Sequence, residues 1–265
     1  MPEWFLSIDP GYARVAPDPG GAFTPVAAFS TRRGGVSAAP WDTLNLSEGV
    51  GDDASSVRVN RARLLAALGL DPSAIAFATQ VHGARVLAPA APGLAGTGDA
   101  LVTRSADVVL AVGAADCLPL LAWDRQGRAV AAVHAGWRGL VAGVVPQALS
   151  VLARIGVAPG DLAVALGPRI GPCCFAVGAD VAARFTSGFV RGESGRTTID
   201  LAAVARQQLE AAGVDPALVR DLGHCTACDP DTWFSHRRDR GRTGRAWGLV
   251  SLRPAGPRKA SEEAV

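Results

Sequence analysis

Two short apolar runs, residues 118–123 and 129–134, are separated only by Asp124-Arg125-Gln126-Gly127-Arg128. A polar, glycine-containing connection between two strand-like runs reads as a β-hairpin. Cys117 stands just before the first strand and His134 closes the second, so the pairing makes a thiol and an imidazole neighbours although they are far apart in sequence. The central hairpin therefore predicts a site as well as a fold.

Further strand-like runs cover residues 26–30, 74–81, 107–112, 162–166 and 247–252, and helical patterns fall between them, which argues for a mixed α/β (α+β) architecture. Residues 54–68 place Val57, Leu64, Leu65 and Leu68 near one face and end at Gly69, a glycine stop. Residues 140–155 follow the 3.6-residue period through Val141, Val144, Val145, Ala148, Leu149, Leu152 and Ile155. Gly156 ends that helix, and Pro146 inside it predicts a kink or a late start. A third helix runs from Asp200, a good N-cap, to Gly213. No internal repeat is visible.

His82, in Thr79-Gln80-Val81-His82-Gly83, follows the run 74–81 and is placed to close the site from an adjacent strand. Two imidazoles and one thiolate form the set that a tetrahedral Zn²⁺ takes when its fourth position stays open for water or substrate, the arrangement of a catalytic zinc. Taken singly, a histidine at a strand end is more often a hydrogen-bonded structural residue, and a cysteine in an apolar run a small hydrophobe. The three segments together favour the metal. Asp116 beside Cys117 is the nearest candidate proton carrier. Gly136 and Gly139 open the helix expected near Leu140; with Arg138 between them, its N-terminus reads as an anion cradle for phosphate or carboxylate.

Composition narrows the partners. Lys+Arg at 26 against Asp+Glu at 24 lacks the basic excess of a nucleic-acid binder. No apolar stretch reaches the roughly 18 residues of a membrane span, and Met1-Pro2-Glu3-Trp4 lacks a signal-peptide pattern. A cytoplasmic, soluble monomer or small homo-oligomer is expected. Five cysteines, an odd number with Cys173 and Cys174 adjacent, do not form a disulfide framework.

Cys225-Thr226-Ala227-Cys228 has the CxxC spacing of a zinc ribbon or redox pair. A ribbon needs a second pair at comparable spacing and Cys173-Cys174 does not supply it, so the motif reads as structural or as support for the main site. The arginine-rich stretch 235–245 reads as a solvated loop with a possible anion-binding role. Residues 1–252 read as one domain and 253–265 as a disordered tail.

An ordered series of motifs resembles the YfiH-type laccase-domain family. It comprises Phe29-Ser30-Thr31-Arg32 with Gly34-Gly35-Val36-Ser37, Leu44-Asn45-Leu46, Val50-Gly51-Asp52-Asp53, Asn60-Arg61, the His82 segment, Gly98-Asp99-Ala100-Leu101-Val102-Thr103, Ala115-Asp116-Cys117-Leu118-Pro119, His134-Ala135-Gly136-Trp137-Arg138-Gly139, Gly167-Pro168 through Cys174, and Phe234-Ser235 with Arg237-Arg238. The resemblance implies a single-domain α/β/β/α sandwich with zinc held by His82, Cys117 and His134. It also implies phosphorolysis of adenosine, inosine or S-methyl-5′-thioadenosine, and deamination of adenosine. The partners are then a purine nucleoside and phosphate. Membership of these motifs singles out Arg32, Asn45 and Arg138 as candidate contacts to ribose or phosphate. The chain departs from the pattern at Gly49, Phe175-Ala176 and His236, which bears on substrate preference more than on the metal.

Three other readings use the same residues. A cysteine or metal-dependent hydrolase of peptidoglycan precursors would take Cys117 as nucleophile, His134 as base and Asp116 or Asn45 as orienter. A polyphenol oxidase would hold Cu²⁺ in the single His₂Cys site, although four histidines in the whole chain cannot furnish a multicopper cluster. A binding module would use a purely structural metal, with the arginines capturing an anion.

Overall fold

Strands without polar alternation need cover on both faces, and the fold supplies it. The computed structural model describes residues 5–9, 11–15, 21–23, 25–193 and 196–252, and the expected disordered tail, 253–265, lies outside them. In chain order the strands are β1 (Phe5–Asp9), β2 (Tyr12–Val15), β3 (Val26–Ser30), β4 (Ile75–Thr79), β5 (Val86–Leu87), β6 (Gly93–Thr97), β7 (Ala100–Thr103), β8 (Val109–Ala114), β9 (Leu118–Asp124), β10 (Val130–Ala135), β11 (Leu162–Leu166), β12 (Val190–Glu193), β13 (Arg196–Ile199), β14 (Val219–Asp221) and β15 (Ala246–Ser251). The helices are α1 (Ala54–Leu68), α2 (Trp137–Val141), α3 (Val144–Arg154), α4 (Ala179–Ala182) and α5 (Leu201–Ala211).

A seven-stranded sheet, ordered β1-β2-β3-β15-β8-β4-β6, faces a six-stranded sheet, ordered β14-β11-β9-β10-β7-β5. Alternate residues separate the layers. In β9, Leu121 and Trp123 enter the core between the sheets with Phe29, Leu110 and Val250. Leu118, Leu120 and Ala122 turn the other way, onto Ala148, Leu149 and Leu152 of α3 and Leu201, Ala205 and Leu209 of α5. On the far face of the seven-stranded sheet, Leu64, Leu65 and Leu68 of α1 cover Val26, Ala28 and Leu249. The expected α/β/β/α sandwich is what the residues build, with each fully buried Leu or Val contributing about 1.5–3 kcal/mol.

The β9–β10 hairpin forms with Trp123 opposite Val130 and Pro119 opposite His134. Helix α1 has the expected bounds, with Asp53 accepting from the Ser56 amide and Gly69 left-handed at φ 70°. Its buried face includes a polar residue. Asn60 donates to Ser37 Oγ, Thr43 O and Asn45 O and accepts from the Val36 amide, stapling the loop that carries Asn45.

The helix expected over 140–155 is two helices. Gly143 at φ 78° breaks the chain between α2 and α3, and Pro146 sits in the first turn of α3, where its missing N–H costs nothing. The late start anticipated from Pro146 is real. The preceding helix, however, begins at Trp137 instead of near Leu140 and has only five residues, too short for the anion cradle read from its glycines.

Candidate metal centre and active site

The hairpin end brings Cys117 and His134 together as its register requires. His82 arrives on the segment that follows β4, held at φ 61°, a left-handed backbone for a non-glycine residue. One ligand atom from each of the three residues lies within 4.8 Å of the others, with His134 buried, Cys117 half-buried and His82 exposed. The imidazole rings are edge-to-face, 4.9 Å between centroids.

Asp99, just before β7, organises this cluster. Its buried carboxylate lies 2.9 Å from His134 Nδ1 and accepts amide N–H groups from Val81 (3.2 Å), His82 (2.8 Å) and Gly83 (2.7 Å). The same three amides therefore fix the unusual backbone at His82. With an ionised carboxylate behind it, His134 carries its proton on Nδ1 and turns Nε2 towards Cys117, the relation of a metal-ligating histidine to its supporting carboxylate. Burial pushes the Asp99 carboxyl up, but the hydrogen bond from His134 and the amides of Gly83 and Val81 outweigh it and hold the pKa below the usual carboxylate value.

Without a cation, the cluster is a thiolate–imidazolium pair. Burial favours neutral forms of both groups, yet His134 and then His82 bring the Cys117 pKa down to about 6. Asp99 and Cys117 lift that of His134 to about 9. The backbone is shaped to the same cluster at Gly136, where a Cβ would lie 2.9 Å from Cys117 Sγ and 3.1 Å from His82 Cδ2. Only glycine lets the chain pass so close to both side chains.

The other predicted residues divide. Asp116, left-handed at φ 93°, has both carboxylate oxygens taken, one by Thr226 Oγ1 and one by the Arg237 amide, each at 2.6 Å. It ties the loop before β9 to two distant loops. Arg32 donates from Nε and Nη2 to Asp42 and from Nη1 to Pro230 O, and its guanidinium stacks on Phe234. Asn45 is fully buried, bonded to Ser47, Asp52 and the Arg245 amide. The polar groups of Arg32 and Asn45 are thus committed to protein partners. Arg138 is exposed and stacks over Trp137 at 4.3 Å.

Two features escaped the sequence reading. Asp99 was visible only as part of Gly98-Asp99, and nothing in its spacing points to His134. Arg245, read only as part of a charge run, is half-buried near Cys117 and Asp116. Its pKa is lowered by burial against the upward pull of those two groups, and Asn45 Oδ1 fixes its amide.

The cysteine reading also needs correction. Cys173 and Cys174 are not too awkwardly spaced to join Cys225 and Cys228, since all four sulfurs lie within 4.8 Å of one another. Adjacent parallel strands β11 and β14 deliver the two pairs to the same end of the sheet.

The family model described as multi-copper polyphenol oxidoreductase laccase matches residues 26–253. The chain belongs to this laccase-domain family. Among relatives, a purine nucleoside phosphorylase of Deinococcus radiodurans is 43% identical over 85% of this chain and 88% of its own length. The purine nucleoside phosphorylase YfiH of Escherichia coli is 40% identical over 85% of this chain and 93% of its own length. Among solved structures, YlmD from Geobacillus stearothermophilus superposes with a TM-score of 0.89 at 34% identity, covering 96% of this laccase-domain chain and all of that one. The YfiH protein of Bacillus licheniformis gives 0.87 at 28%, covering 95% of this chain and all of that one.

Proposed function

We propose that this laccase-domain protein is a zinc-dependent purine nucleoside phosphorylase acting on adenosine, inosine and S-methyl-5′-thioadenosine, with adenosine deamination as a second activity. The observation that carries the metal part is the convergence of His82, Cys117 and His134 with Asp99 behind His134. Relatives that are 40–43% identical and named purine nucleoside phosphorylase support the reaction.

The donor set fits zinc. Two imidazoles and a thiolate are borderline-soft ligands that leave a fourth tetrahedral position open. Multicopper chemistry does not fit, because four histidines in the chain cannot complete a three-copper cluster beside a second copper site, and His224 instead packs edge-to-face on Trp233. When bound at His82, Cys117 and His134, zinc supplies Lewis acidity.

The protein's own residues do the rest. Asp99 keeps the proton on His134 Nδ1 and the ring in place, and Gly136 leaves room beside the sulfur. Arg245, whose amide is held by Asn45, supplies positive charge for a phosphate dianion, and exposed Arg138, on the helix that follows His134, adds a second cation. In phosphorolysis a phosphate oxygen bonds to the sugar C1′ as the bond to purine N9 breaks, giving the free base with ribose 1-phosphate, or with 5-methylthioribose 1-phosphate from the thioether nucleoside. In deamination oxygen from water replaces the 6-amino group and ammonia leaves. Asp116 acts as a positioning residue for Cys117, a narrower role than proton carrier. A cytoplasmic setting, with Cys117 kept reduced, belongs to the same reading.

Product analysis tests this. Purified protein, with its metal content assayed, is incubated with each nucleoside with and without phosphate, beside Cys117→Ala. Free base and the matching sugar 1-phosphate formed only with phosphate and lost in the variant are the expected result, with inosine appearing from adenosine. A folded, zinc-loaded protein that turns over none of them would refute it. The rival cysteine hydrolase would instead trap a covalent adduct at Cys117.

A further inference from the structure

We propose a second metal site in this protein, a closed tetrathiolate zinc centre formed by Cys173, Cys174, Cys225 and Cys228. It stands apart from the His82–Cys117–His134 reading and needs none of those residues. The four sulfurs lie within 4.8 Å of one another, with Cys228 Sγ 3.6 Å from Cys173 Sγ and 3.4 Å from Cys174 Sγ. Zn–S bonds of about 2.3 Å in a tetrahedron separate the sulfurs by about 3.8 Å. Disulfides require about 2.05 Å, so the observed spacing suits a shared cation far better than a bridge. Four converging soft donors with tetrahedral spacing select zinc over harder ions.

The surrounding backbone is built for thiolates. Amide groups of Gly171, Ala227 and Cys228 all address Cys225 Sγ, that of Gly171 at 3.2 Å. Such N–H···S bonds lower the charge on a ligating sulfur. A Cβ on Gly171 would lie 3.2 Å from Cys173 Sγ and 3.5 Å from Cys225 Sγ, so glycine keeps the cluster clear. Each thiol gives its proton to solvent as its S–Zn bond forms, leaving a centre of net charge −2 and requiring no oxidant. Arg237 and Arg238 donate into the two cysteine loops, at Ala176 O and Thr226 O, and offset that charge.

The position suggests what the centre does. It would clamp the turn after β11 to the turn after β14, joined otherwise by the amides of Arg169 and Thr226. These loops brace Asp116 through the Ile170 amide and Thr226 Oγ1, and Asp116 precedes Cys117. The two sites are thus one hydrogen-bonded step apart.

Full-length protein made with ample zinc should carry two zinc equivalents by elemental analysis. Cys117→Ala should keep one, Cys228→Ser should keep the other, and the double variant should hold none. If Cys228→Ser fails to fold, the Cys117→Ala protein loaded with cobalt decides the matter, since four thiolates give intense thiolate-to-cobalt charge transfer and tetrahedral visible bands. Chelation from that same variant should speed amide exchange at Ile170 and Thr226. A folded Cys117→Ala protein without metal whose remaining four thiols alkylate freely would overturn the proposal. So would a disulfide mapped between Cys228 and Cys173 or Cys174 in freshly purified protein.

Discussion

Replacing Asp99 with Asn tests how the main site is held. The carboxylate takes four donors, His134 Nδ1 and the His82 amide on Oδ1, and the Val81 and Gly83 amides on Oδ2. An asparagine has one acceptor oxygen, so its NH₂ must face one of these pairs. Facing the amides, it leaves two N–H groups without an acceptor, at about 1–3 kcal/mol each when buried. Val81 is exposed and Gly83 half-buried, so water reaches both and the loss of stability should lie in the lower half of the summed range, about 3 kcal/mol. Facing His134, it forces the proton from Nδ1 onto Nε2, the wrong tautomer for ligation. Either way, zinc affinity should fall by about ten- to a hundredfold, as when supporting partners of metal-ligating histidines are removed. Denaturant unfolding of the metal-free protein measures the first effect, and competition with a chromophoric chelator the second. An unchanged zinc affinity together with an unchanged unfolding midpoint would refute the role assigned to Asp99.

Gly136→Ala places a Cβ against Cys117 Sγ and His82 Cδ2; the fold should survive while metal content and turnover drop, and normal metal loading would contradict the close approach. In metal-free protein, Cys117 alkylation followed residue by residue should rise with pH through a midpoint near 6, the pKa to which His134 and His82 bring the thiol, because only the thiolate reacts; a midpoint near the ordinary 9.0 would remove the ion pair. Asn45→Ala should cost about 2–4 kcal/mol by orphaning several buried partners, with KM for phosphate rising only through the displaced Arg245; a selective rise in nucleoside KM with full stability would restore Asn45 as a contact. Arg138→Ala should leave the unfolding midpoint within about 0.5 kcal/mol of wild type and weaken phosphate binding; an unchanged phosphate KM would take Arg138 out of the site.

Local interactions made several elements legible in the chain itself. Helix α1 announces itself through its apolar spacing and Gly69, because periodicity and a glycine stop involve residues a few positions apart. Strands β3 and β11 are equally plain as uninterrupted apolar runs. The hairpin β9–β10 follows from its short connection, and with it the pairing of Cys117 and His134. Strands β5, β6 and β7 escaped because their two to five residues carry no pattern of their own; neighbours across the sheet specify them.

Residue chemistry alone singled out His82, Cys117 and His134 as candidate ligands, and the fold brings them together. Which polar side chains face that set was decided only by tertiary structure, since Arg32, Asn45 and Arg138 look alike as motif members, while packing commits the first two to protein partners and leaves the third exposed. The same holds for Asp99, whose bond to His134 depends on the antiparallel pairing of β7 with β10, which no local signal encodes. It holds most of all for the four cysteines. A zinc ribbon is recognised when both pairs sit on short turns of their own, but here one pair is adjacent and the other follows some fifty positions later. Only the parallel pairing of β11 with β14 brings them together, because strand order is set by burial of whole faces, and that is a property of the complete chain.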